Sequence, residues 1–218
     1  MNVLVIANDE IKEELFPPTS KEVIQFTYIQ SPGNYVPGKP VDACIDLLFE
    51  YTTERIGWLT SLKARLIIIN SVIIPLKNIQ QDFIRINGWN TFLKRQIIEA
   101  AANNTLLKVK AEKLFLSLGK KTEWVPDITG FITPRIVASI INEAFFALEE
   151  DVSTEEEIDT AMKLGTNYPF GPFEWSKKIG LQNIYSLLNA LSKEQIRYQP
   201  ASLLKQTALH NNGNYFKH

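Results

Sequence analysis

The chain has 218 residues, with 23 Lys and Arg against 24 Asp and Glu and a net charge of −1. Its 45% hydrophobic and 22% charged residues match an ordinary globular protein and exclude collagenous and disordered classes. The balanced charge supplies no basic field for nucleic acid, and no apolar run approaches the ~18 residues of a membrane span.

In chain order, the apolar run at residues 3–7 reads as a buried strand, followed by a short helix ending at Pro17-Pro18. Residues 23–29, rich in β-branched and aromatic side chains, read as a second strand, and residues 31–40, with three prolines and two glycines, as a loop. Residues 43–49 form a third strand, 52–64 a helix, 65–70 a fourth strand and 83–87 a fifth. A helix over 105–118 stops at Gly119. Strands alternating with helices imply a parallel α/β sheet.

From Asp127 onward the periodicity becomes helical, so the boundary is placed near Pro126, with domains 1–126 and 127–218. A long helix begins near Phe131 with Ile136, Ile140 and Phe145 on or near its apolar stripe. Ser153 and Glu156 read as the capping box of the next helix, which Gly165 terminates. Gly180 and Ser192 separate two further helices. The acidic residues around 149–157 read as a solvated face rather than a metal site. The fold class is therefore α/β plus all-α: a parallel-sheet domain followed by a helical domain.

Cys44 is the only cysteine, which excludes an internal disulfide and multi-cysteine zinc patterns. No metal site is expected. The two histidines, His210 and His218, fall in the last nine residues, so no mid-chain histidine is present for catalysis. The opening residues lack the pattern of a signal peptide, and a cytoplasmic location is expected.

Residues 127–136 (DITGFITPRI), Asn142-Glu143-Ala144, the run from Glu157 to Gly165 and Pro169-Phe170-Gly171-Pro172-Phe173-Glu174 together resemble the C-terminal domain of 3-hydroxyacyl-CoA dehydrogenases. The resemblance covers roughly residues 127–205. The first half is similar in its order of elements, with 43–49, Ile69-Asn70-Ser71 and residues 86–90 where that family has its "ADLVIEA", "SNTSS" and "HFFNP" segments.

The resemblance makes the sheet domain a truncated Rossmann-like one and implies a fatty-acid-metabolism oxidoreductase using NAD, a catalytic histidine, an orienting glutamate twelve residues later, and a dimer formed through the helical domain. Residue by residue, the chain departs from this. The turn that should carry glycines reads Ala7-Asn8-Asp9 and then Glu10, leaving Cβ atoms and carboxylates where a pyrophosphate would lie. The histidine position holds Asn87, although the glutamate persists as Glu99; Val72 and Pro134 replace two polar substrate holders. An amide cannot accept the substrate's proton.

The sequence thus points to a pseudoenzyme that takes no cofactor and acts as a homodimeric binding or scaffold protein, for an acyl-CoA or a protein partner. The alternatives are an acyl-CoA enzyme with Glu99 as base beside Asn87, or a residual dehydrogenase. Asn70 and Asn90 are the candidate substrate-binding residues.

Overall fold

The computed structural model describes residues 1–12, 14, 24–36, 38 and 40–210. By internal contacts the chain divides into two compact units, Met1–Phe131 and Ile132–His218. Among the described residues no helix is long and apolar enough to cross a membrane.

In the first unit the elements are β1 (Asn2–Ile6), α1 (Asp9–Lys12), β2 (Gln25–Ile29), β3 (Ala43–Asp46), α2 (Thr53–Ser61), β4 (Leu66–Asn70), α3 (Leu76–Ile79), β5 (Ile84–Ile86), β6 (Ile97–Ala101), α4 (Thr105–Ser117) and β7 (Lys121–Trp124). They make one sheet in the order β2-β1-β3-β4-β5-β6-β7. The first five strands are parallel, β5 and β6 run antiparallel, and β6 and β7 are parallel. The doubly wound order 3-2-1-4-5-6, with its edge strand left out, gives this core arrangement.

Alternation along the buried strands explains why both faces are covered. Val3 and Val5 point to the side packed by Ala111, Leu114 and Phe115 of α4. Leu4 and Ile6 point to the other, packed by Leu59 of α2 and Leu76 and Ile79 of α3. Thr52 caps α2 by accepting from Arg55 N at 3.1 Å. Gly119, at φ 73°, ends the helix that Asn104 caps.

Several elements differ from the sequence expectation. The third strand ends at Asp46 rather than 49, because Asp46 turns the chain by accepting from Leu48 N at 3.2 Å. β6 and β7, which carry no plain strand signal in the sequence, extend the sheet past its parallel part. Of the helix expected before Pro17-Pro18, only Asp9–Lys12 and Glu14 are among the described residues, and His218 lies outside them. The helical periodicity starts at Asp127, yet residues 127–131 pack in the sheet unit, where Arg85 reaches Asp127, the Ile128 carbonyl and the Phe131 ring.

The second unit contains α5 (Thr133–Glu149), α6 (Glu155–Thr166), α7 (Pro172–Ile179), α8 (Leu181–Ser192) and α9 (Ser202–His210). The buried stripe of α5 is Val137, Ala138, Ile141, Ala144 and Phe145, while Ile136 is 54% exposed. The expected stripe is therefore rotated by about one position. The capping box is Thr154 with Glu157, not Ser153 with Glu156. Ser153 instead donates its hydroxyl to Glu157. Gly165 lies within α6, and the stop is Asn167, whose φ of 55° is the left-handed conformation asparagine tolerates. His210 ends α9 exposed, its Nδ1 2.8 Å from the Gln206 carbonyl.

Candidate active site

Doubly wound sheets bind ligands outside the carboxyl ends of their strands, where connections diverge to either side. Here that rim is built from the residues following β1, β3, β4 and β5. After β1, Ala7 is buried and Asn8 Oδ1 accepts from Ile11 N at 2.8 Å, so a side-chain cap closes the four-residue α1. The two acids beyond it turn toward the loop after β5. Glu10 accepts from Asn90 Nδ2 at 2.8 Å, and buried Glu14 accepts the Thr91 N–H with both oxygens at 2.9 Å. Lys94 stands 3.8 Å from Glu14. Asp9 is exposed.

Lys120 supports the same loop. It is 2% exposed and donates Nζ to the carbonyls of Leu93 and Arg95. Burial pulls its pKa from 10.5 down to about 8, against the opposing pull of Glu14. Between these two values the unfolded chain binds more protons than the folded one, so the contribution of Lys120 to stability rises with pH across that window. Urea unfolding of wild type and Lys120→Met at about pH 7 and about pH 10 checks this. The wild type is expected to gain on the variant at the higher pH, and a flat difference contradicts it.

Asn87 and Glu99 face each other across the antiparallel β5/β6 joint. Register places them opposite: Arg85 pairs with Ala101 and Ile86 with Ala100, and Asn87 N donates to the Glu99 carbonyl at 3.1 Å. Asn87 is 3% exposed; its Nδ2 donates to Glu99 Oε2 at 3.2 Å, and its Oδ1 accepts from Trp89 N at 3.4 Å. The amide therefore holds the carboxylate and has no basic atom to offer a substrate.

Asn70 ties two loops together, donating to the Leu47 carbonyl at 3.1 Å and accepting from Gly88 N at 3.0 Å. A Cβ on Gly88 would fall 2.9 Å from Asn70 Cγ, so this approach requires glycine. Of the four candidate polar residues, Asn87 and Glu99 are brought together. Asn70 serves the loop backbone, and Asn90 is joined to Glu10.

Sequence reasoning missed the most deeply buried charges. Arg85, with no exposed surface, donates to the Ser71 carbonyl at 2.7 Å, the Val72 carbonyl at 3.0 Å and the Ile128 carbonyl at 3.3 Å, and pairs with Asp127. Its guanidinium lies 4.4 Å from the Phe131 ring centroid. Asp46, likewise buried, takes Arg55 in a two-pronged pair at 2.7 and 2.8 Å; burial raises its pKa and Arg55 opposes the rise. The available signal is a lone charge inside an apolar strand: Arg85 between Ile84 and Ile86, and Asp46 between Ile45 and Leu47.

In the helical unit the signature residues are structural. Asp159, 7% exposed, accepts from Phe173 N at 2.8 Å and Glu174 N at 3.0 Å, capping α7 from another helix. Glu174 accepts from Gly171 N at 3.1 Å and from Lys163, which lowers the glutamate's pKa and raises the lysine's. Asn142 clamps the approach to α9, donating to the Gln199 carbonyl and accepting from Ala201 N, both at 2.9 Å. The first two clusters explain why the runs at 157–165 and 169–174 carry Asp, Lys, Gly and Glu where they do.

The described residues thus form a mainly parallel sheet with helices on both faces, followed in sequence by an all-helical unit. Residues 130–214 match the family model described as "3-hydroxyacyl-CoA dehydrogenase, C-terminal domain". The second half of the chain is therefore similar to the C-terminal domain of the 3-hydroxyacyl-CoA dehydrogenase family. It is 43% identical over 119 residues to 3-hydroxyadipyl-CoA dehydrogenase of Escherichia coli, covering 54% of this chain and 25% of that protein. It is 34% identical over 111 residues to 3-hydroxybutyryl-CoA dehydrogenase of Bradyrhizobium diazoefficiens, covering 50% of this chain and 38% of that one. These matches thus span between a quarter and two-fifths of the relatives' length.

Among solved structures, 3-hydroxybutyryl-CoA dehydrogenase from Escherichia coli superposes with a TM-score of 0.60 at 34% identity, covering 67% of this chain and 32% of that one. FadB2 from M. tuberculosis gives a TM-score of 0.74 at 15% identity over 96% of this chain and 93% of that one, a likeness of fold.

These matches correct one expectation. Reading the altered turn as meaning that no cofactor is used does not stand against the match of residues 130–214 to a dehydrogenase family and the 43% identity to 3-hydroxyadipyl-CoA dehydrogenase. What the turn does establish is narrower. With Asn8 capping α1 and Glu10 joined to Asn90, residues 7–10 do not form a glycine cradle for a pyrophosphate.

Proposed function

We propose that this chain is a family member without proton-transfer catalysis, acting as a homodimeric binding or scaffold protein for an acyl-CoA or a protein partner. The observation that carries the reading is the Asn87–Glu99 pair: a carboxylate lies 3.2 Å from residue 87, where the resemblance expects the base, and residue 87 is an amide. A positioned base contributes about 10²–10⁴-fold to such a reaction. The clasp of Glu10 and Glu14 on the loop after β5 favours the same reading, since it fixes polar groups that a substrate would need. Exposed apolar residues of the helical unit, with Leu164 83% and Ile196 86% exposed, favour association through it.

The test is NADH formation from 3-hydroxybutyryl-CoA and NAD, with the wild type expected at background and Asn87→His above it. Turnover by the wild type overturns the proposal. The second reading, Glu99 as a base, is favoured by the carboxylate that Asn87 holds in place. It would show as wild-type turnover abolished by Glu99→Gln.

A further inference from the structure

We propose that the outer edge of β2 is an interface with a second copy of this chain, the two β2 strands pairing antiparallel about a two-fold axis at Thr27. Gln25 N donates to the Met1 carbonyl at 2.9 Å and the Ile29 carbonyl accepts from Ala7 N at 3.0 Å, so Gln25, Thr27 and Ile29 direct their main-chain groups to β1. Alternation then sends the N–H and C=O of Phe26 and Tyr28 to the far side. There, among the described residues, β2 is the end of the sheet.

The two ends of the sheet are not guarded alike. Exposed edges are normally blunted by charge, proline or bulges, because open N–H and C=O groups template further pairing. At the other end, β7 reads Lys-Thr-Glu-Trp and exposes Lys121 and Glu123. β2 reads Gln-Phe-Thr-Tyr-Ile, with no charge and no proline, and its Tyr28 is 39% exposed. The doubly wound order would set another strand beside it.

The strand is also complementary to itself. Centred on Thr27, antiparallel pairing sets Phe26 opposite the second copy's Tyr28, and Tyr28 opposite its Phe26. Since these residues carry the outward main-chain groups, each such pair exchanges two hydrogen bonds. The rings lie on one face, where Phe26 and Tyr28 already stack at 6.0 Å within one copy, so pairing extends an aromatic row. Thr27 meets Thr27 on the other face, a favourable cross-strand pair, and no like charges within the strand are brought together. A two-fold contact of this kind closes on itself, as isologous interfaces do.

Sedimentation velocity on the full chain tests this with Thr27→Lys, Thr27→Glu and their equal mixture. Thr27 is exposed, so neither change disturbs the β1 ladder, and circular dichroism confirms the fold. The wild type is expected at twice the mass of either variant or more, whatever the helical unit contributes, because like charges then oppose each other at the axis. The mixture, pairing Lys with Glu, is expected to return to the wild-type mass. Wild type and variants of equal mass, or a mixture that stays at the lower mass, overturn the proposal.

Discussion

Replacing Asp127 by alanine is expected to cost the sheet unit about 3–5 kcal/mol, the range for removing one partner of a buried ion pair. Three losses coincide at this carboxylate. Arg85 keeps a guanidinium with no exposed surface and no counter-charge, in a place where burial already lowers its pKa and Asp127 opposes the shift. The N–H groups of Leu76 and Lys77, capped at 3.1 and 3.3 Å, lose their acceptor at the start of α3. The 127–131 segment keeps the Gly130 N bond to the Val72 carbonyl, the Arg85 bond to the Ile128 carbonyl and the contact of Arg85 with the Phe131 ring, but loses its ion pair to Arg85. Urea unfolding measures the effect. Combining Asp127→Ala with Arg85→Met is expected to recover part of the loss, because no unpaired charge remains buried. A single-variant cost below about 1 kcal/mol would contradict the role given to this pair.

How legible the fold is in the sequence follows from the range of each interaction. The parallel strands are apolar runs bounded by turn residues, and such runs announce themselves locally. β6 and β7 do not: β6 exposes Ile97 and carries Glu99, and β7 alternates exposed with half-buried residues, so each resembles surface chain until its neighbour is known. Arg85 is hidden for a similar reason, its partners lying 13 to 43 residues away. The capping box is displaced by one position from the expected one because residues 153–157 offer Ser-Thr before three glutamates, and only backbone geometry selects Thr154.

At the strand ends, the identities of Asn87 and Glu99 are readable by resemblance, and register explains their meeting. That Glu10 and Glu14 engage Asn90 and Thr91 is not, since 77 to 80 residues separate them. Glu10, which in the sequence looks like a mere obstacle to a phosphate, proves to be a ligand of a loop. The helical unit lies at the other extreme: its recognition rests on a motif whose Asp159, Gly171 and Glu174 answer one another over 15 residues or fewer.

That motif yields the second large effect. Gly171→Ala is expected to destabilise the helical unit by about 3 kcal/mol, read as a lowered urea midpoint, on the scale of leaving buried donors unsatisfied. A Cβ at position 171 would overlap the Cβ, Cγ and Oδ1 atoms of Asp159. Rotating the carboxylate cannot relieve a clash that includes the Asp159 Cβ, so the two segments must part. Phe173 N and Glu174 N then lose the oxygens that hold them at 2.8 and 3.0 Å, at the N-terminus of α7, where a negative charge also suits the helix dipole. Asp159→Ala removes the same two bonds without adding bulk, and its cost is expected to be smaller, about 1–2 kcal/mol, near that of a lost helix cap. The order of the two variants is the decisive result. If Asp159→Ala proved the more damaging, the close approach at Gly171 would not be what this Asp and Gly spacing secures.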